Sequence, residues 1–171
     1  MNRRHKRLPL DPPEADALWL ACRDERDKLI VAVLLETGIR VAEFCSLTPE
    51  SILWQQDRLS VRGKGDKRRT VPLPLRARTQ LATWFSSRDA IGLGTRAVEL
   101  RVKAIAGRAR IRKKVTPHVL RHTYSRDMLR RGISLRALQE ALGHERLETT
   151  GLYLYMDAED VMKDYREKGV L

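Results

Sequence analysis

Thiols are scarce in this chain: Cys22 and Cys45 stand alone, without CxxC spacing. A zinc ribbon needs clustered thiolates and a stapled secreted domain needs a dense cysteine set, so both are excluded. The two side chains are expected to pack as small apolar groups in a reducing compartment. Long apolar runs are missing too. No stretch approaches the roughly 18 residues that span a bilayer, and the basic start MNRRHKR leads into LPLDPPEAD rather than an apolar signal core. A soluble, cytoplasmic protein is expected. Acidic residues are in deficit, 22 Asp and Glu against 34 Lys and Arg, which leaves a formal charge of +12. So basic a surface repels itself and attracts polyanions, with nucleic acid the first partner expected and an anionic membrane the second. Repeats, low-complexity tracts and long Pro/Gly linkers are absent, and 171 residues at 42% apolar suit one domain with a real core.

The positive charge is clustered. Arg101, Lys103, Arg108, Arg110, Arg112, Lys113, Lys114, Arg121, Arg126, Arg130 and Arg131 share a stretch whose single carboxylate is Asp127. A second cluster holds Arg62, Lys64, Lys67, Arg68 and Arg69. A merely solvated face would intersperse Asp and Glu, so both clusters are read as phosphate-tracking surfaces.

Helix-start and helix-stop residues punctuate the chain. Asp11 before Pro12 and Pro13 opens a first helix. The segment 27–37 is apolar almost all round, which predicts a central core helix, with Gly38 as its stop and a short helix from about Arg40. Over 51–72 the pattern changes to short runs, SILW, RLSVRG and RRTVPL, separated by QQD and GKGDK turns, and predicts a small antiparallel sheet. Helical spacing returns over 75–86 and 95–110. Thr116 and Pro117 open a helix ending near Arg131, Ser134 caps another with a Leu135, Leu138, Leu142 stripe closed by Gly143, and a tail helix is expected from Asp157. The fold class is therefore mainly α with a small antiparallel sheet, α+β.

On the helix from Pro117, a wheel puts Leu120, Tyr124 and Met128 on one face and His118, Arg121, His122 and Ser125 on the other. One side is expected to pack and the other to present two imidazoles and a guanidinium. An arginine between histidines is suited to gripping phosphate oxygens. His118 and His122 also have the i, i+4 spacing of a zinc pair, but Val119 stands where the HExxH glutamate belongs and no carboxylate ligand is close, so zinc is not favoured.

Four runs then become recognisable: TGIRVAEFCSL (37–47), VRGKGDKRRTVPL (61–73), HVLRHTYSRDMLRRG (118–132) and LGHERLETTGLYLY (142–155). In this order they resemble the signature boxes of tyrosine recombinases, especially Xer-type recombinases and phage integrases, over most of the chain. The resemblance implies a role for each matching residue. Arg40 would hold a non-bridging oxygen of a scissile phosphate, or else simply start its helix paired with Glu43 or Glu36. Lys64 would protonate the departing 5′ oxygen, with Lys67 as the alternative. His118 and Arg121 would complete the phosphate clamp, His144 would add a hydrogen-bond donor, and Tyr153 would be the nucleophile, with Tyr155 competing for that place. Arg62, Lys67, Arg68, Arg69, Lys113, Lys114, His122 and Arg126 are further DNA-contact candidates.

The chemistry explains the residue types. Attack on a phosphodiester adds charge to its non-bridging oxygens, which two preorganised arginines stabilise by several kcal/mol in a dry site. A phenol titrates near about 10, so neighbouring Arg and His are needed to favour the phenolate. The alkoxide is a poor leaving group and needs an acid, for which a lysine among cations serves. A covalent 3′-phosphotyrosine with a free 5′-hydroxyl would store the bond energy, so no cofactor, ATP or metal is expected. The resemblance further implies double-stranded DNA as partner, a tetramer on DNA with exchange of the tail after Tyr153, and a place at the nucleoid. Residues 1–39 before Arg40 read as part of the catalytic fold, so 1–171 is expected to be one catalytic domain without the family's separate N-terminal clamp: an excised fragment, a compact single-domain recombinase, or a protein that relies on an accessory DNA-binding partner for site recognition. Type IB topoisomerase-like nicking and closing, and a non-catalytic DNA-binding regulator on the same scaffold, are the alternatives.

Overall fold

The structure is a computed structural model, and it describes residues 8–63 and 68–143. The first helix, α1 (Pro12–Leu20), starts at a capping box in which the Asp11 carboxylate accepts from the Glu14 N–H and the Glu14 carboxylate accepts from the Asp11 N–H. Helix α2 (Glu25–Thr37) is capped by Asp24 and buries Leu29, Ile30, Val31, Ala32, Val33 and Leu34. From Leu29 to Thr37 no residue of α2 is exposed, and the helix is the axis on which the later helices pack, as its apolar pattern predicts. Each buried Leu, Ile or Val side chain there contributes roughly 1.5–3 kcal/mol by leaving water.

Gly38 ends α2 in the left-handed region at φ 65° and is followed by α3 (Val41–Cys45). A single-turn 3-10 segment (Pro49–Ser51) leads into the sheet of β1 (Ile52–Leu53), β2 (Arg58–Arg62) and β3 (Arg68–Pro72), all antiparallel in the order β1-β2-β3. Leu59 pairs with Val71 and Val61 with Arg69, so these four share the inner face, while Arg62 and Arg68 oppose each other where the hairpin leaves the sheet.

Helix α4 (Leu75–Phe85) packs along α2, its second residue pair fixed by Glu36, whose carboxylate accepts from the Ala77 N–H at 3.0 Å. Helix α5 (Thr95–Arg108) stops two residues short of the expected end because Arg110 turns into the left-handed region at φ 56°. Helix α6 (Pro117–Arg130) begins at the Thr116 cap, and α7 (Leu135–Leu142) runs from the Ser134 cap to Gly143. Leu138 and Leu142 close on Tyr124, Met128 and Leu129 of α6 in a second small core beside the main one. The architecture is the expected mainly helical fold with one small antiparallel sheet. Cys22 and Cys45 are free and half-buried rather than fully packed away, and burial raises the Cys22 thiol to about 11.

Candidate active site

The site grows from three backbone events. The first is the turn between α2 and α3. A Cβ on Gly38 would lie 2.3 Å from a ring carbon of Tyr124, so the positive φ and the close approach together require glycine. The turn delivers Arg40 to the N-cap position of α3, with its side chain 45% exposed and its Nη1 3.2 Å from Glu43 Oε1. The Arg40 N–H donates to Glu43 Oε2 at 2.7 Å, so the carboxylate holds both ends of the arginine. Arg40 thus makes the helix-start ion pair with Glu43 that the sequence offers, and leaves nearly half of its side chain exposed.

The second event is α6. It lies among α2, α5 and α7, which cover most of both faces of its wheel. Arg121 is only 5% exposed, His122 is 7% exposed and Ser125 is fully buried, whereas His118 is exposed. The expected split between a packing face and a presenting face is therefore corrected: a wheel drawn for one helix cannot see the neighbours that enclose the other side. Arg121 donates to the Gly38 carbonyl at 2.5 Å and to the Leu142 carbonyl at 2.8 Å. His118 and His122 meet edge to face with their Nε2 atoms 2.9 Å apart, so one Nε2 carries the shared proton and the other accepts it. Tyr124 is buried in the packing behind Gly38, and desolvation raises its phenol, with Arg121 opposing. That side chain packs with Leu138 and Leu142 as part of the second small core.

The third event is the end of α7. The last four carbonyls of an α-helix have no partner inside it. The Gly143 N–H turns back to the Gln139 and Glu140 carbonyls. The next three carbonyls each take a guanidinium: Ala141 accepts from Arg69 Nε at 2.8 Å, Leu142 from Arg121 Nη2 at 2.8 Å, and Gly143 from Arg40 Nη2 at 3.5 Å. Three arginines from β3, α6 and the α2–α3 turn converge on the negative end of one helix dipole. That end leads directly into His144.

Glu43 ties the same groups from the other side. Arg69 forks onto it with Nη1 to Oε1 at 2.6 Å and Nη2 to Oε2 at 3.0 Å. Burial pushes the Glu43 carboxyl up, but the hydrogen bonds and charges of Arg69 and Arg40 outweigh it and hold the carboxyl below the usual range. A carboxylate stays ionised here among cations that would otherwise repel one another.

The structure thus brings Arg40, His118 and Arg121 to one region, together with Glu43, which the sequence reading used only as a possible ion-pair partner. Arg62 and Arg68 are exposed at the hairpin mouth, and Lys114 is exposed beside a shallow cleft lined by Val41, Thr116, Pro117 and His118. Other candidate DNA contacts are held internally. Lys113 Nζ donates to the Pro9 carbonyl at 2.5 Å and pairs with Glu14, Arg126 donates to the Leu10 carbonyl, and Arg69 is 13% exposed. Arg101 and Arg108 pair with buried Asp27, far along the chain, so the basic stretch 101–131 is in part an internal clasp and only in part an open surface. Alternation in RRTVP, with Val71 inward, was the signal that could have placed Arg69 inward as well. Lys64, Lys67, His144, Tyr153, Tyr155 and the tail helix from Asp157 lie outside the described residues.

Mainly helical packing with a hairpin beside it and arginines gathered from separate motifs describe the site, and comparison with known proteins gives the family. Residues 10–160 match the model of the phage integrase family, and the chain belongs to that family. Its similarity runs to Xer-type members. The tyrosine recombinase XerA of Pyrococcus furiosus is 36% identical over 161 residues, covering 85% of this chain and 56% of the relative. The tyrosine recombinase XerC of Pseudomonas syringae pv. tomato is 33% identical over 154 residues, covering 82% and 51%. The crystal structure of XerA recombinase superposes with a TM-score of 0.86 at 32% identity over 98% of this chain and 66% of that one. The chain spans about half the length of the two sequence relatives. Among the described residues no helix is long and apolar enough to cross a membrane.

Proposed function

We propose that this chain is the DNA-cleaving and rejoining domain of a site-specific tyrosine recombinase. The observation that carries the reading is the convergence of Arg40 and Arg121 on adjacent carbonyls at the end of α7. Two cations held by rigid backbone are preorganised for a phosphate whose non-bridging oxygens gain charge during attack, and they need no reorganisation when it arrives. His118, exposed one turn before Arg121, supplies a hydrogen bond at the same phosphate, with His144 as a further donor.

In this mechanism the Tyr153 phenolate attacks phosphorus while the bond to the 5′ oxygen breaks. Lys64, or Lys67 in its place, gives that oxygen a proton, leaving a 3′-phosphotyrosine and a free 5′-hydroxyl. Attack by a 5′-hydroxyl from a second duplex reverses the step and rejoins the strands. The partner is double-stranded DNA, gripped through Arg62, Arg68 and Lys114 at the rim. Protomers assemble as a tetramer with exchanged tails, at the nucleoid. Residues 1–171 act as one catalytic unit, with target recognition shared with a clamp or an accessory protein.

The test is covalent trapping on a pool of nicked duplexes of randomised sequence. Wild type is expected to form an adduct that survives SDS, Tyr153→Phe none, and Tyr155→Phe the same adduct as wild type. The reverse pattern moves the nucleophile to Tyr155. No adduct from any of the three favours a DNA-binding regulator, and relaxation of supercoils without exchange between duplexes favours a topoisomerase-like enzyme.

A further inference from the structure

Arg69 breaks the pattern of its own strand. It occupies the inner face of the sheet, opposite Val61 and in line with buried Val71, where alternation calls for an apolar side chain. A guanidinium at such a position is costly unless its donors are satisfied, and here a planar fork does it: Nε to the Ala141 carbonyl, Nη1 and Nη2 to the two oxygens of Glu43. Gly143 leaves room for it, since a Cβ there would come within 3.1 Å of the Arg69 side chain on a backbone at φ 65°. One side chain therefore bolts together the hairpin strand, the α3 carboxylate that holds Arg40, and the end of α7 that holds Arg121.

We propose that Arg69 is a positioning residue for cleavage: it fixes β3, and with it the hairpin, against the two-arginine clamp. The charge of this guanidinium is already neutralised by the Glu43 carboxylate, which Nη1 and Nη2 both engage, and its Nε is held by the Ala141 carbonyl. The inference rests on the recombinase reading, in which a hairpin lysine protonates the departing 5′ oxygen. When Arg69 is removed, Arg40 keeps Glu43 through its own N–H and Nη1, so the clamp persists. What goes is the link between the hairpin and the clamp. The step that suffers is then proton delivery from the lysine ammonium to the 5′ oxygen as its bond to phosphorus breaks. A 5′ sulfur in place of that oxygen leaves as a thiolate and needs no proton, so it bypasses the step.

The experiment uses the 171-residue chain with Arg69→Ala and Arg69→Lys, the second keeping the charge without the planar fork. Single-turnover cleavage is measured on the nicked duplex that wild type cleaves fastest in the randomised pool, and on the same duplex with a 5′-bridging sulfur. Binding is followed across salt and folding by thermal melting. Both variants are expected to bind within about twofold of wild type with an unchanged salt slope. They should cleave the oxygen duplex about tenfold to a hundredfold more slowly and recover to within about threefold on the sulfur duplex. Weaker binding with the slope reduced by about one makes Arg69 a phosphate contact and overturns the proposal. An equal defect on both duplexes, cleavage like wild type, or loss of the melting transition in both variants overturns it too. If wild type itself cleaves neither duplex, it is the recombinase reading that fails, a result separate from any of these.

Discussion

Glu43 is 6% exposed, yet it stays charged because two guanidiniums and a backbone N–H point at it. Its carboxyl is held below the usual range, so the stability it contributes is present above the ordinary carboxylate pKa and is lost as pH falls through the depressed folded value. Glu43→Gln removes that titration. The variant is expected to be less stable than wild type at pH 7 by about 2–4 kcal/mol, because two arginines lose their counter-charge. Melting from neutral to acid pH should then show the gap closing as wild type loses its carboxylate. Parallel curves for the two proteins would contradict the account. At this scale the sequence was legible for Arg40, His118 and Arg121, since each sits in a recognisable run. It was legible for the Arg40–Glu43 pair, three residues apart, but not for the tie between Glu43 and Arg69, which stand 26 residues apart.

Caps and stops made the elements readable: Asp11, Thr116 and Ser134 open helices where expected, and Gly38 and Gly143 close them. The periodicity of α2 placed it at the centre for a physical reason, because a helix apolar on every side has nowhere else to go. The burial of α6 escaped sequence reasoning, since Arg121 on its polar face is taken up by the carbonyls of Gly38 and Leu142 at the ends of other helices. Gly38→Ala joins these elements in one prediction. The added methyl meets the Tyr124 ring and the backbone is strained at φ 65°, so a loss of about 3 kcal/mol is expected, read as a lowered Tm. Because the Gly38 carbonyl also holds Arg121, adduct formation should fall with it under conditions where the variant remains folded. A variant as stable as wild type would show that Tyr124 gives way freely.

Across the whole molecule, net charge overstated the open basic surface. Arg101, Arg108, Lys113 and Arg126 fasten α5 and α6 to the N-terminal third through Asp24, Asp27, Glu14 and the carbonyls of Pro9 and Leu10. Composition counts cations and cannot say which of them already have a carboxylate. Two substitutions separate the classes. Lys114→Ala is expected to weaken binding to random duplex DNA and lower the salt slope by about one. Arg108→Ala is expected to leave that slope unchanged and to cost about 2 kcal/mol of stability, because buried Asp27 loses a partner. Fluorescence anisotropy across salt, paired with melting curves, reads both. A phenol that attacks phosphorus beside the Arg40 and Arg121 clamp is the centre of the proposed mechanism, and mass spectrometry of the trapped adduct tests it most directly. Fragment ions of the peptide spanning 147–163 are predicted to carry the nucleotide on Tyr153, joined through a 3′ phosphate and released with a free 5′-hydroxyl on the other strand end. A nucleotide on any other residue, or a linkage through a 5′ phosphate, would contradict it.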